Sequence, residues 1–336
     1  MKKNTLIILL ILVLAGIVAV FALRKSNSSV KRELRDFAVE DTASIDKIFM
    51  VRKDLKQITL TRSGNHWLVN EKYKARPDAV ENLLKTLYRV RVKSPVSKSM
   101  MDNAVKMLAT RNTKVEVYNS RKLIKTLYVG GPSQDQMGTF MMVEGSSVPF
   151  IVHIPGFIGY LTTRFFVDEK GWRSTELFRY DFNDIATITV ENPAKPDDSF
   201  RLESPGNNQF AIHSLSGRQI TGQLDTVGTK FFISQFEKMN FEFFADTIPE
   251  QTVHTMLTTP PTGILTLEDR SGLKRNVKMW KRAANGKEDS EGNLLEWDDE
   301  RLWGLIDDKD WVVVQYHVFN PVFLRYDDFF VKREWK

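Results

Sequence analysis

An α+β fold is what this sequence predicts: an N-terminal transmembrane helix followed by two related modules, each an antiparallel sheet with helices packed on one face. Three observations carry that expectation. Residues 5–23 form 19 consecutive uncharged residues, rich in Ile, Leu, Val and Ala. Beyond them come short apolar-alternating runs bounded by Gly, Asn and Ser, interrupted by segments of helical period. The order of these runs then repeats once along the chain.

The apolar run comes first in the chain. As a helix, residues 5–23 would be roughly 28 Å long, close to the hydrocarbon thickness of a bilayer. A cleaved signal peptide is the other reading, and Val20 and Ala22 suit its cleavage site. The run is longer than the roughly 7–15 residues of a signal core, which favours an uncleaved anchor. Arg24, Lys25, Lys31, Arg32 and Arg35 follow it, so a literal count of flanking charge points to a cytoplasmic C-terminal region. The Met-Lys-Lys start reads instead as a bacterial export signal. The expectation taken forward is a single-pass protein of the cytoplasmic (inner) membrane with its C-terminal domain in the periplasm. The segments are a cytoplasmic tail at 1–4, an anchor at 5–24, a linker at 25–41 and two modules at 42–172 and 173–336.

Charge and cysteine content narrow the function. The chain has 48 Lys+Arg against 42 Asp+Glu. Four of the bases, Lys2, Lys3, Arg24 and Lys25, flank the apolar run. The remainder is close to neutral and lacks the basic footprint of a nucleic-acid binder. The absence of cysteine removes disulfides, thiol catalysis and zinc ribbons.

The repeated pattern opens with strands. Residues 45–51 and 57–61 lead through Ser63, Gly64 and Asn65 into Trp67, Leu68 and Val69. In the second copy, residues 185–190 and 200–202 lead through Pro205, Gly206 and Asn207 into Phe210, Ala211 and Ile212. Trp67 and Phe210 are therefore expected at equivalent core positions. A helix follows in each: Val80, Leu83, Leu84 and Leu87 share one face behind Pro77, and Asp225 or Thr226 caps a helix bearing Phe232, Phe236 and Met239. The strand pairs 115–118 with 124–129 and 264–267 with 275–279 come next, then apolar runs at 140–143 with 150–154 and 303–306 with 311–316. Each copy closes on Phe-Phe-Val, at 165–167 and 329–331.

Catalytic motifs are missing. The five histidines, His66, His153, His213, His254 and His317, have no clustered spacing. His153 and His317 fall in strand-like runs at comparable places in the two copies, and edge or core histidines are the expected reading. Gly130, Gly131 and Pro132 with Gly138 read as a hairpin turn, since no Lys-Ser/Thr and helix follow. Residues 288–310 hold ten acids and two bases. Asp289, Glu291, Asn293 and Glu300 match four positions of a calcium loop, but Leu294 stands where the sharp turn needs Gly, so a solvated inserted loop is expected. The aromatic clusters, among them Phe231-Phe232, Phe241 with Phe243-Phe244, and Trp303 to Trp311, are read mostly as core, with a few left for an exposed protein-binding patch. No catalytic, cofactor or metal residue is expected.

The segments DFAVEDT (36–42), IDKIFM (45–50), HWLVNEKYKA (66–75), ENLLKTLYRV (81–90), LYVGGP (127–132), GTFMMVEG (138–145) and VPFIVHIPG (148–156) carry a resemblance. The chain resembles a bacterial membrane-anchored family of unknown function, often encoded beside gliding-motility-type ABC transporter components, and looks most like its Bacteroidetes members. That resemblance implies architecture, a periplasmic location and gene company, and supplies no catalytic residues. The expected role is non-enzymatic: protein binding or scaffolding, accessory to an ABC-type transport or gliding-motility system. The expected partners are an integral membrane protein such as a transporter subunit, and the cytoplasmic membrane through residues 5–23, with no nucleic acid. Two other readings stand beside it: a periplasmic glycan- or lipid-binding protein using an inter-module cleft, and a hydrolase whose site sequence does not reveal.

Overall fold

The computed structural model describes residue 13, residues 36–206 and residues 209–331. Apart from residue 13, the segment expected as an anchor lies outside the described residues. Among those described, no helix is long and apolar enough to cross a membrane. The chain divides into two compact units after Ser174.

The first unit is built on one antiparallel sheet. Its strands are β1 (Lys47–Arg52), β2 (Gln57–Ser63), β3 (His66–Val69), β4 (Tyr73–Lys74), β5 (Arg91–Pro95), β6 (Thr113–Asn119), β7 (Lys122–Pro132), β8 (Thr139–Val143) and β9 (Phe150–His153), in the order β4-β3-β2-β1-β6-β7-β8-β9-β5. Side chains alternate along each strand, so Ile48 and Met50 of β1 face the core together with Leu60 and Val117, which pair with Ile48. Helix Pro77–Arg89 covers that core with Val80, Leu83 and Leu87, as its spacing predicts. Helix Lys98–Thr110 lies over β7 and β8 and buries Ala104 and Leu108.

The second unit contains β10 (Glu176–Phe178), β11 (Ile185–Glu191), β12 (Phe200–Gly206), β13 (Gln209–Ser214), β14 (Gln223–Leu224), β15 (Met239–Asn240), β16 (Phe243–Phe244), β17 (Gly263–Asp269), β18 (Lys274–Ala283), β19 (Trp297–Ile306), β20 (Asp310–Gln315) and β21 (Phe330–Val331). Eight of them form an antiparallel sheet in the order β13-β12-β11-β17-β18-β19-β20-β16. Two short pairs, β10 with β15 and β14 with β21, stand apart. Phenylalanines dominate the core: Phe329 meets Phe200 at 4.7 Å and Phe232 at 5.2 Å, edge to face.

The two large sheets visit their strands in the same order, with β4 an extra edge strand in the first. The registers also correspond. Ile48 pairs with Leu60 and Val117; Ile188 pairs with Leu202 and Leu267. Counting from these pairs places Phe210 where the first sheet has Trp67.

The α+β expectation is corrected to a predominantly β fold. Most neighbouring strands are joined by hairpins, which need no crossover helix. Helices enter only where the chain leaves the sheet, and among the described residues of the second unit none exceeds nine residues. The anchor that completed the expected fold class has no counterpart among the described residues.

Candidate binding groove

A concavity lies within the second unit, between helix Glu250–Thr258 and the hairpin of β18 and β19. It is a groove of about 510 Å³. Trp280 and Trp303 sit directly opposite each other across the hairpin, and Trp297 faces Ala283 beyond a bulge. These three indoles line the groove with Met256, Gln251 and Thr252.

The corresponding place in the first sheet shows why a groove forms. Leu127 pairs with Val143 as Val277 pairs with Ile306, so Gly130 stands where Trp280 does and Phe140 where Trp303 does. Helix Lys98–Thr110 settles onto Gly130: an added Cβ would lie 3.0 Å from Leu108 Cδ2 and 3.0 Å from the Phe140 carbonyl oxygen. An indole at that position keeps helix Glu250–Thr258 from settling in the same way. The groove in the first unit, beside Leu108 and Tyr128, is smaller, about 330 Å³.

Trp280 is buried and fixed, since its Nε1–H donates to the Thr259 carbonyl at 3.1 Å and its ring meets Trp311 at 5.6 Å. Trp303 is half-buried under the Arg282 guanidinium, 4.8 Å from its ring centre. Trp297 is 41% exposed, with the Lys281 ammonium 5.5 Å from its ring centre. Arg282 Nε is buried without a hydrogen-bond partner. Its guanidinium lies 3.9 Å from Asp298, a buried carboxylate that also meets Lys287 at 3.1 Å and accepts the backbone N–H groups of Glu300 and Arg301. Burial pulls the Asp298 carboxyl up, but the Glu300 N–H and Lys287 outweigh it and hold the group below the usual carboxylate range. Among the described residues no Asp or Glu lines the groove itself. Lys281 and Arg282 give it a positive cast, suited to a ligand rich in acceptors.

The residues singled out in the sequence fall elsewhere. His153 is half-buried on β9, and His317 is exposed on the short helix Tyr316–Phe319, which corrects the strand expected there. Asp289 spends its Oδ1 on the N–H groups of Glu291 and Asn293 in its own turn, and Glu300 meets Lys287 and Arg301 on β19. The acidic segment is thus only partly a loop: Asp298, Asp299 and Glu300 belong to β19. No group of three or more His, Asp or Glu among the described residues is placed to hold a metal ion. Gly138 ends a tight turn in which it accepts from Ser133 N–H at 2.9 Å. Phe241 is buried, whereas Phe231 is 67% exposed. Of the expected aromatic patch, Trp303 lines the groove and Trp311 supports it from behind. The part played by Trp280 and Trp297 is visible only once the hairpin register is known.

The family profile described as a domain of unknown function, DUF4340, matches residues 67–259, more than half of the chain. The match begins in the first sheet and ends at helix Glu250–Thr258, one wall of the groove. No curated protein and no solved structure matches the chain.

Proposed function

This chain belongs to the DUF4340 family, a domain of unknown function, and from that premise we propose that it works by binding another protein through the tryptophan groove of its second unit. One observation carries the reading. Trp280, Trp297, Trp303 and Arg282 converge on one groove, and Trp and Arg are the residue types that dominate protein interfaces energetically. Arg282 packs its guanidinium over the Trp303 ring beside the groove. Among the described residues no acid, histidine or cysteine lines the groove to move a proton or attack a substrate, which favours binding over hydrolysis.

The finer reading rests on sequence. The apolar residues 5–23 support a place at the cytoplasmic membrane, with the two units in the periplasm. The resemblance to a Bacteroidetes-type family encoded beside gliding-motility-type ABC transporter components makes an integral membrane subunit of such a transporter the first partner to seek.

The test places a photo-crosslinking amino acid at Trp297 in the full chain, in cells, with the more exposed Leu55 as the control. The expected result is an adduct with an integral membrane protein at Trp297 alone, lost when Trp303→Ala is added. No adduct at Trp297, or the same adducts at Leu55, would reject the groove as the interface. Indole faces beside Gln251 and Thr252 also suit a glycan, so saturable binding of periplasmic glycan fragments without any protein adduct would replace this reading.

A further inference from the structure

The loop at residues 155–160, Pro-Gly-Phe-Ile-Gly-Tyr, directs apolar side chains into solvent. Ile158 is 80% exposed and Phe157 is 37% exposed. The loop is held rather than frayed: Ile154 and Leu161 at its two ends are buried, and Leu161 N–H donates to Thr139 Oγ1 at 2.7 Å. Phe157 N–H donates to the Ile154 carbonyl, and Gly156 takes a φ of +81° that other residues rarely adopt.

Around the loop stand three arginines. Arg89 Nη2 donates to the Pro155 carbonyl at 3.3 Å, and the Arg164 guanidinium lies 4.4 Å from the centre of the Phe157 ring. Arg91 donates to the Tyr88 and Val90 carbonyls. Arg164 also donates to Thr86 Oγ1. Among the described residues none of the three meets a carboxylate. Burial and then the neighbouring charge of Arg89 lower the Arg164 pKa, so the two guanidiniums feel each other without an acid between them. Exposed Tyr88 completes the patch.

The fold does not require this exposure. After β20, at the same place in the second sheet, the chain turns into helix Tyr316–Phe319 and buries Phe319 and Val322. The first unit instead spends its apolar residues on an exposed tip.

We propose that loop 155–160 docks into the surface of an anionic lipid bilayer, Ile158 and Phe157 entering the boundary of the acyl chains while Arg89, Arg91 and Arg164 meet lipid phosphates. An apolar tip ringed by guanidiniums and a tyrosine matches the interfacial layer of a membrane in both polarity and charge. Where the chain lies before the described residues points to the same occupant. Residues 36–39 run beside the end of the helix that carries Arg89, with Val39 N–H donating to the Leu87 carbonyl at 2.9 Å. The twelve residues from Arg24 to Arg35 separate them from the apolar run and extend to at most roughly 40 Å. The inference rests on the membrane placement proposed above and adds a second, reversible contact that sets the orientation of the first unit.

The chain has no cysteine, so Ile158→Cys gives a single site for an environment-sensitive fluorophore. The full chain is reconstituted with vesicles of phosphatidylcholine, with or without phosphatidylglycerol, and brominated lipids serve as quenchers. Leu123→Cys, exposed at the opposite end of the same sheet, is the control. The expected result is quenching at position 158 and not at 123, stronger with phosphatidylglycerol. Arg89→Gln and Arg91→Gln should each weaken docking about five-fold in the anionic vesicles. An unquenched label at 158 in chains that float with the vesicles overturns the loop's role alone. Chains that fail to float overturn the membrane placement together with it.

Discussion

Asp298 concentrates the electrostatics behind the groove into one side chain. Its carboxylate is 5% exposed and holds Lys287 and Arg282 while accepting two backbone N–H groups. Because its folded pKa is depressed, the stability it contributes is fully present above the unfolded value of about 3.9 and is lost as pH falls through the folded value. Asp298→Asn keeps the shape and removes the charge. It should cost about 1–2 kcal/mol at neutral pH, with the gap narrowing below about pH 4. Urea unfolding of both proteins across that range measures it, and a gap that stays constant down to pH 3 would contradict the assignment. Packing gives a second residue-scale prediction. Trp67 is buried in the first core under the Arg62 guanidinium, 4.8 Å away. Trp67→Ala should cost about 3–5 kcal/mol. Phe210, its counterpart by register, is only half-buried against Phe182, and Phe210→Ala should cost about 1–2 kcal/mol. Equal losses in denaturant titrations would mean that the two positions are not distinguished by burial.

At the scale of elements, one position separates the two helix-on-sheet arrangements. Gly130 lets helix Lys98–Thr110 lie against β7, and Trp280 opens the groove in the second unit. Gly130→Ala should therefore strain the contact with Leu108 and cost about 1–3 kcal/mol, while Leu108→Ala in the same chain should recover part of that loss. Thermal unfolding of the two single variants and the double variant tests it; additive losses would show that the glycine is not set by the helix. The same contrast explains what sequence could and could not reveal. Strands with strict alternation were legible: residues 45–51 and 57–61 announce β1 and β2, and Val80, Leu83 and Leu87 announce their helix. The turn at Gly64, with φ of +57°, was legible because its residue types permit that backbone. Helix Lys98–Thr110 is not, because three methionines and two lysines in its sequence blur the period. Hairpin connections leave no mark in apolar period, so the sequence understates the balance of strand over helix. The groove was hidden for a different reason: Trp280 and Trp303 are 23 positions apart and become neighbours only through the β18–β19 register.

On the scale of the whole molecule, each unit has its own apolar core. The first is built from residues between Phe37 and Trp172, the second from residues between Leu177 and Phe329. Stability should follow these cores, since cooperative opening involves residues that share buried contacts. Ile48 and Ile188 hold the same place in the two sheets, each fully buried between two hydrogen-bonded neighbours. Ile48→Ala should cost about 2–5 kcal/mol and raise amide exchange through β1, β2 and β6, leaving β11, β12 and β17 protected. Ile188→Ala should do the reverse. Hydrogen exchange followed by mass spectrometry on the full chain resolves the two, because peptides on either side of Ser174 report separately. If either substitution loosens both sheets to the same degree, the molecule opens as one cooperative body, and the separation of its cores does not govern its unfolding.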